Sequence, residues 1–451
     1  MRHIISKVNA VKIIKISAVA TLISLSSAIA AAELNSPELT PFGAERAADP
    51  AEGIPEWTGG LEKKPINQSG GKFHTNPFSD EKPIAVIDRA NMASYEQYLS
   101  EGVKALYKSY GTYSINLYPT HRTMSAPEEV YQNTKLNTTR AKLVKDGNGI
   151  EGAIGGIPFP IPKSGIELFW NHIARWQGVY YEDTSGTAIV DVSGKFSLLR
   201  EQNKVLVNYY NKNNPADLDN VLIYFVNKML PPSRSAGEIL LVHETVDQVK
   251  EPRRAWAYFA GQRRVRRAPT LAYDTPQDGY FSDEADMLNG APDRYDWKIV
   301  GKAVKIIPYN SYELASESLK YEDILKPGHI NPEHARWEKH RVWVLEANLK
   351  QGQRHIYSKR RFYIDEDSWA VVMSENYDGR GELWRVNIAH TLISYEVPTI
   401  SPQLTVYHDL TNRTYTALGL KNQEKIPRDF SAAIPDEKFW TPGNLRRMGV
   451  Q

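Results

Sequence analysis

From Arg341 onward the chain alternates between apolar and polar residues, and this pattern constrains the fold most. "RVWVLEANL" places Trp343, Leu345, Ala347 and Leu349 on one side of an extended backbone. "HIYSKRRFYI" places Ile356, Phe362 and Ile364 on one face and Tyr357, Lys359, Arg361 and Tyr363 on the other. "WAVVMSENY", "LWRVNIAHT", "LTVYHDL" and "RTYTALGL" follow in the same style. A period of two is the signature of a strand. The runs are separated by "KQGQ", "DEDS" and "YDGRGE", with Asp378-Gly379 as a hairpin signal. Connections this short allow only antiparallel neighbours. "KVLVNYY", "EILLVHETV" and "RAWAYFAGQRRV" extend the pattern upstream. Ten or more strands predict a mainly β (α+β) fold, a large twisted antiparallel sheet or partial barrel. No fixed-length repeat stands out, which argues against a propeller or solenoid.

Helical spacing is confined to three stretches. Tyr95, Leu99, Val103, Leu106 and Tyr110 predict a helix within 88–110, and "APEEVYQNTKLNTTRAKLV" predicts one within 126–144. "SGIELFWNHIARW" reads as a short helix with Ser164 as its N-cap. The stretch before it, "GGIPFPIP", is apolar but cannot form a regular element, so it is expected to be a rigid lid-like loop. Residues 33–87 are rich in Pro and Gly and are expected to wrap the domain as irregular chain. Residues 33–451 are read as a single domain. Arg2, Lys7, Lys12 and Lys15 precede an apolar run from Ile16 to Ile29 and small residues at Ala28–Ala32. Residues 1–32 therefore read as a secretory signal peptide, too short to span a core of roughly 30 Å unaided. The expectation is an exported chain that is soluble after cleavage.

Composition then narrows the chemistry. The 451 residues contain no cysteine, so stability outside the cytoplasm must come without disulfides, and thiol catalysis and thiolate metal sites are excluded. With 55 Lys and Arg against 53 Asp and Glu, no global field favours a polyanion, and no nucleic-acid partner is expected. "SDEADML" lacks a companion phosphate loop and reads as an acidic surface loop. His334 and His340 are six residues apart, unlike the i, i+4 spacing of helical metal ligands, and "NPEHARWEKHR" reads as an exposed helix start. No G-x-S-x-G elbow is present, and nothing specifies a nucleophile, base, metal or cofactor. The four arginines of "AGQRRVRRAP" alternate faces if 255–267 is one strand. Five acids follow, Asp274, Asp278, Asp283, Glu284 and Asp286, so the arginines are expected to pair with them, or else to meet an anionic headgroup.

"TPFGAERA", "GGIPFPIPKSGIELFWNH", "YFAGQRRVRRAPTLAYD", "GAPDRYDWKIVGK", "IPYN" and "QGQRHIYSKRRFYIDEDSW" together resemble one family of exported Gram-negative proteins. It is a domain-of-unknown-function family whose members carry the label outer-membrane lipoprotein-sorting protein. It is grouped with the periplasmic lipoprotein carriers and the outer-membrane lipoprotein receptor. The resemblance covers essentially the whole mature chain. It implies an open antiparallel barrel whose apolar concave face is covered by helices and a long loop. It further implies a non-enzymatic periplasmic carrier of a hydrophobic or lipid-like molecule. Implied partners are a resistance-nodulation-division type exporter and an outer-membrane protein, with peripheral outer-membrane association as a further expectation. The residues expected to meet the ligand are Trp256, Tyr258 and Trp343 on strands, Phe159 and Ile161 in the loop, Trp170 beside it, and Arg264 and Arg266. Two other readings are an envelope scaffold without a ligand, and an enzyme acting on lipid or envelope polymer. The first predicts an exposed apolar patch, the second a convergent titratable cluster in a cleft.

Overall fold

The computed structural model describes residues 33–61, 73–268, 271 and 273–450; the stretch read as a signal peptide lies outside them. Fifteen strands join one sheet. The first four strands are short: β1 (Ala85–Ile87), β2 (Ile115–Leu117), β3 (Lys142–Leu143) and β4 (Ile150–Glu151), of which β3 and β4 pair only with each other. Six strands form a first meander: β5 (Tyr180–Val190), β6 (Phe196–Leu206), β7 (Val221–Leu230), β8 (Ile239–Thr245), β9 (Arg254–Phe259) and β10 (Arg264–Arg267). Seven form a second: β11 (Tyr295–Pro308), β12 (Trp337–Leu349), β13 (Lys359–Asp365), β14 (Val371–Tyr377), β15 (Leu383–Ser394), β16 (Thr399–Asp409) and β17 (Thr414–Leu420).

The meanders join where β17 pairs antiparallel with β5, so that Ala417 faces Ala188 and Thr416 faces Ile189. The result is a continuous antiparallel series from β11 to β10 whose two end strands do not pair with each other among the described residues. This is the predicted unclosed, mainly β architecture. β1 and β2 add at the start of β12, where Trp337 meets Leu117 in the sheet's parallel contact.

Cross-strand register sorts side chains onto two faces. Leu345, Phe362, Ser374, Asn387, Tyr407, Thr416 and Ile189 form one row, on what is here called the first face. Glu375, Val386, His408, Tyr415, Val190 and Phe196 form a row on the second face. Six helices complete the fold: α1 (Glu101–Ser109), α2 (Glu128–Arg140), α3 (Gly165–Ile173), α4 (Asn208–Asn211), α5 (Tyr321–Ile324) and α6 (Pro442–Val450). They cover both faces, whereas a one-sided cover was expected. Helix α3 lies on the first face, where Phe169 packs 4.9 Å from Trp297. Helix α1 lies on the second, with its Gly102 N–H donating to Glu375 at 2.7 Å. Helix α6 lies on the second face of the other meander, burying Leu445 against Tyr258, Leu241 and Trp440.

Local chemistry explains several departures from expectation. The 88–110 helix breaks at Ser100, whose side chain caps α1 by accepting from Val103 N–H. Ser164 has the extended backbone of a cap but makes no cap bond; Glu167 reaches back to Lys163 N–H instead. Residues 331–341 are a single helical turn and then β12, because Trp337, Val342 and Val344 find a sheet to bury against. Residues 254–267 are a hairpin, not one strand: Gln262 and Arg263 N–H groups close on Phe259 and Ala260, with Arg263 at φ +50°. In the β14–β15 turn the left-handed position is Gly381, not Gly379.

The seam between meanders is closely packed, with Ala188 and Ala417 both fully buried. Ala417→Leu is expected to destabilise the chain by about 1–3 kcal/mol in urea denaturation, because there is no void to receive three more carbons. A change within error would show that the seam is loose.

Candidate functional site

The connection from β10 to β11 must travel from one open edge of the sheet to the other, and it does so across the first face. Segment 276–290 lies on β14, β15 and β16. Tyr280 stacks on Tyr407 at 4.9 Å, and Tyr407 donates its hydroxyl to Glu284 O. The Glu284 carboxylate, fully buried, accepts from Tyr357 hydroxyl (2.9 Å), Asn376 and Asn387 (both 3.0 Å) and Phe281 N–H. Asp283 accepts from Arg360 and His355, both at 2.8 Å. Asp286 takes Arg175 at 2.6 Å, while its carbonyl meets His172. "SDEADML" is therefore an internal strap and not a surface loop. Its acids are stabilised inside because strands β13 to β15 present Arg360, Asn376 and Asn387 on this face. Burial by itself would raise the Asp283 carboxyl; Arg360 and His355 outweigh it and hold the group below its ordinary value.

This also corrects the expected pairing of the four arginines. Asp283 and Asp286 go to Arg360 and Arg175, and Asp274 lies 3.5 Å from Arg294. Arg263, Arg264, Arg266 and Arg267 are exposed and have no ion pair among the described residues; Arg266 reaches only Gln262 and the Phe259 ring.

The expected ligand contacts fall into separate places. Trp170 is fully buried and donates to Gly147 O at 2.8 Å. Trp343 is half-buried, stacked on Trp369 with Lys302 4.9 Å over its ring. Phe159 is half-buried, its backbone clamped at both ends by the Asn171 side chain. These three belong to the main core, while Ile161 is 41% exposed. Trp256 and Tyr258 lie on the second face in the smaller core under α6. Arg264 and Arg266, alternating with Val265, point to the first face. The "GGIPFPIP" loop is no free lid: Asn137 donates to Gly156 O, Thr134 accepts from Ile157 N–H, and Tyr209 donates to Gly156 O.

One part of the first face carries apolar side chains that are not fully covered. Register aligns Phe225, Val242 and Ala255 across β7 to β9, and Leu240 with Ala257 beside them. Leu240, Ala257 and Phe259 are partly exposed, Phe225 is half-buried at the margin of the main core, and Arg264 and Arg266 border them on β10. None of these four apolar residues was singled out from the sequence. Their signal was alternation within β7 to β9 once Trp256 and Tyr258 are assigned to the opposite face.

A second group is chemically conspicuous. His340, Asp365 and Asp367 bring ligand-type atoms within 4.8 Å of one another in full burial. Arg122 already binds both Asp367 oxygens, at 2.6 and 2.9 Å, and Lys302 sits 2.9 Å from Glu366. This is a charge network that also fastens the N-terminal chain, since Arg122 donates to Glu45 O and Arg46 O. It is buried, not set in a cleft. Two clefts do open at the surface. One of about 720 Å³ is lined by Glu96, Glu101, Lys104, Lys305, Arg361 and Tyr363; one of about 230 Å³ by Phe78, Glu81, Tyr118, His334 and Arg336. Lys104 pairs with Glu96 and Glu101, and Arg336 pairs with Glu81.

Two consequences can be measured. Arg360→Ala strands the buried Asp283 charge with His355 alone, and is expected to cost about 3–5 kcal/mol in chemical denaturation; a loss under 1 kcal/mol would show that the strap is not held by this pair. The second concerns pH. Burial lowers His172 and His243 to about 4 and His390 and His408 to about 3. The unfolded chain therefore protonates first below pH of about 6.5, and these four groups cost stability on acidification. Burial and the neighbouring Asp367 raise Asp365 to about 6; burial raises Glu366 to about 7 against the pull of Lys302. There the folded chain protonates first, so the contribution of these two groups rises as pH falls from about 8 toward 6. Already at about pH 7 the four imidazoles outweigh the two carboxyls, which only blunt their effect, so the urea midpoint is expected to fall steadily from about pH 7.5 to about pH 5. A midpoint that rises on acidification over this range would contradict this.

Comparison with known proteins places the chain. Residues 86–446 match the family model described as "Protein of unknown function (DUF1329)". "Uncharacterized protein PA3922" of Pseudomonas aeruginosa is 45% identical over 434 residues, 94% of either chain. Among solved structures, a Vibrio parahaemolyticus domain named for outer membrane lipoprotein sorting has 14% identity and a TM-score of 0.42, covering 63% of this chain and 98% of its own. A DUF1329 protein of Desulfovibrio piger has 12% identity and a TM-score of 0.42, covering 62% and 97%. At those distances the solved structures bear on neither activity nor ligand. The family match and the Pseudomonas relative do establish membership: the chain belongs to the DUF1329 family.

Proposed function

We propose that this protein is a periplasmic carrier that holds a hydrophobic or lipid-like molecule with an acidic group against the first face of β7 to β9. The observation that carries the reading is the partly exposed apolar surface of Leu240, Ala257 and Phe259, beside Phe225 at the margin of the main core, bordered by Arg264 and Arg266, which have no acidic partner among the described residues. An apolar patch is also what the scaffold reading predicts, and ligand binding is what separates the two. Covering such a surface contributes roughly 25 cal/mol per Å² before the costs of association. Arginines at its border would meet a carboxylate or phosphate in fork geometry. The N-terminal stretch that reads as a signal peptide supports a periplasmic setting, in which transfer would run between an inner-membrane exporter and an outer-membrane acceptor. The strap over β14 to β16 and helix α3 over β11 and β12 fill those parts of the first face with the chain's own side chains, which favours the β7–β9 end for a ligand.

The test uses the protein purified from the periplasm, followed by native mass spectrometry, and titration with the amphiphilic anion 1-anilinonaphthalene-8-sulfonate. Saturable dye binding is expected. Phe259→Asp should weaken it at least about tenfold, or 1.4 kcal/mol, and Arg264→Gln with Arg266→Gln to a smaller extent. A chain that is reproducibly ligand-free, and whose dye binding is unmoved by Phe259→Asp, would remove the carrier reading.

A further inference from the structure

Thirteen arginines form ion pairs with acids of this fold among the described residues. Arg122 has Asp367, Arg253 has Glu244, Arg336 has Glu81 and Glu338, and Arg428 has Asp183. The β10 hairpin instead clusters four exposed arginines, two on either side of Val265, with no carboxylate partner among the described residues. Helix α6 packs against the same strand, and its Arg446 and Arg447 are also exposed, with no ion pair among the described residues.

The backbone of β10 adds an independent feature. Ala268 N–H donates to Ala255 O across the hairpin. Alternation in an antiparallel pair then turns Arg264 and Arg266 toward β9 and leaves the N–H and C=O groups of Val265 and Arg267 pointing away from the sheet. β10 is an end strand, paired with β9 alone. The opposite end strand differs. β11 is fourteen residues long, is interrupted by a register shift at Gly301, and has Lys305 tied to Gln97 O and Leu99 O.

We infer that the outer edge of β10 receives an extended acidic segment of a partner protein, which adds to the sheet as a further strand. An added strand pairs with the outward groups of Val265 and Arg267 and projects its side chains alternately to the two faces. Arginines wait on both: Arg264 and Arg266 on the first face, Arg267 with the α6 arginines on the second. Charge complementarity selects acidic residues and speeds encounter. A bilayer surface would meet the same charges but has no use for a free strand edge. The inference does not depend on a ligand at the β7–β9 surface.

A fluorescent decapeptide of alternating Glu and Val is the probe, read by anisotropy against the whole chain. Binding that weakens with salt is expected. Val265→Pro deletes an outward N–H while keeping every charge and every bond to β9, and should weaken binding at least tenfold. Val265→Thr, which keeps the N–H, should bind like the unaltered chain and controls for lost packing under α6. Arg264→Glu combined with Arg267→Glu should abolish binding. Vesicles of phosphatidylglycerol and phosphatidylcholine form the second arm. Peptide binding indifferent to Val265→Pro, no peptide binding, or vesicle binding that the proline leaves intact while the peptide fails would each overturn the proposal.

Discussion

Everything in this molecule rests on the pairing of β17 with β5. Each meander alone would expose another long edge, and the chain would read as two small sheets. Joining the last strand of the second meander to the first strand of the first makes one surface and leaves its two ends, β10 and β11, open. The connection between those ends then has no short route. It crosses the first face, and that crossing determines what the face can hold. Topology, in this sense, precedes chemistry: the strap is internal because the strands it joins lie at opposite ends of the sheet.

An internal connection brings polar backbone into the core, and its groups must be satisfied there. The chain meets this with charge-assisted bonds. Glu284 gathers three side-chain donors from three elements, and Asp283 gathers a guanidinium and an imidazole. The same solution recurs where irregular chain meets the sheet, in Arg122 with Asp367 and in Glu338 with Arg336 and His340. Burial would raise Glu338; His340 and Arg336 bring it down to about 2 instead. Buried pairs of this kind add little net stability over apolar packing, but they permit few alternative arrangements, and they fix where a loop lies.

The strand series from Arg341 was legible because one period ran through it with turn residues between, and the open sheet followed from counting. The hairpin at 260–263 was missed although Gly261 marks it, because Val265 continues the alternation and conceals the break. The strap was missed for a physical reason. Acidic runs are usually solvated, and nothing local to "SDEADML" names its partners; Arg360 lies more than seventy residues away. What could have suggested it was polar residues where apolar ones belong, Ser374, Asn376 and Asn387 along one face of central strands. Aromatic residues were a poor guide to an open surface. Trp170 and Tyr258 are fully buried, and the partly exposed part of the first face carries Leu240 and Phe259 instead.

Two open edges in one sheet raise a question of self-association. The free edge of β10 on one copy could in principle meet the free edge of β11 on another, and such a head-to-tail contact does not close. It would grow into a filament. β10 carries its arginines, whereas on β11 Lys302 is paired with Glu366 and Glu45, Lys305 is tied to two backbone carbonyls, and Lys298 shares the strand with Asp296. The register shift at Gly301 further disturbs the match. β11 is thus a poor match for the β10 edge of another copy, whereas an acidic strand would be drawn to the β10 arginines.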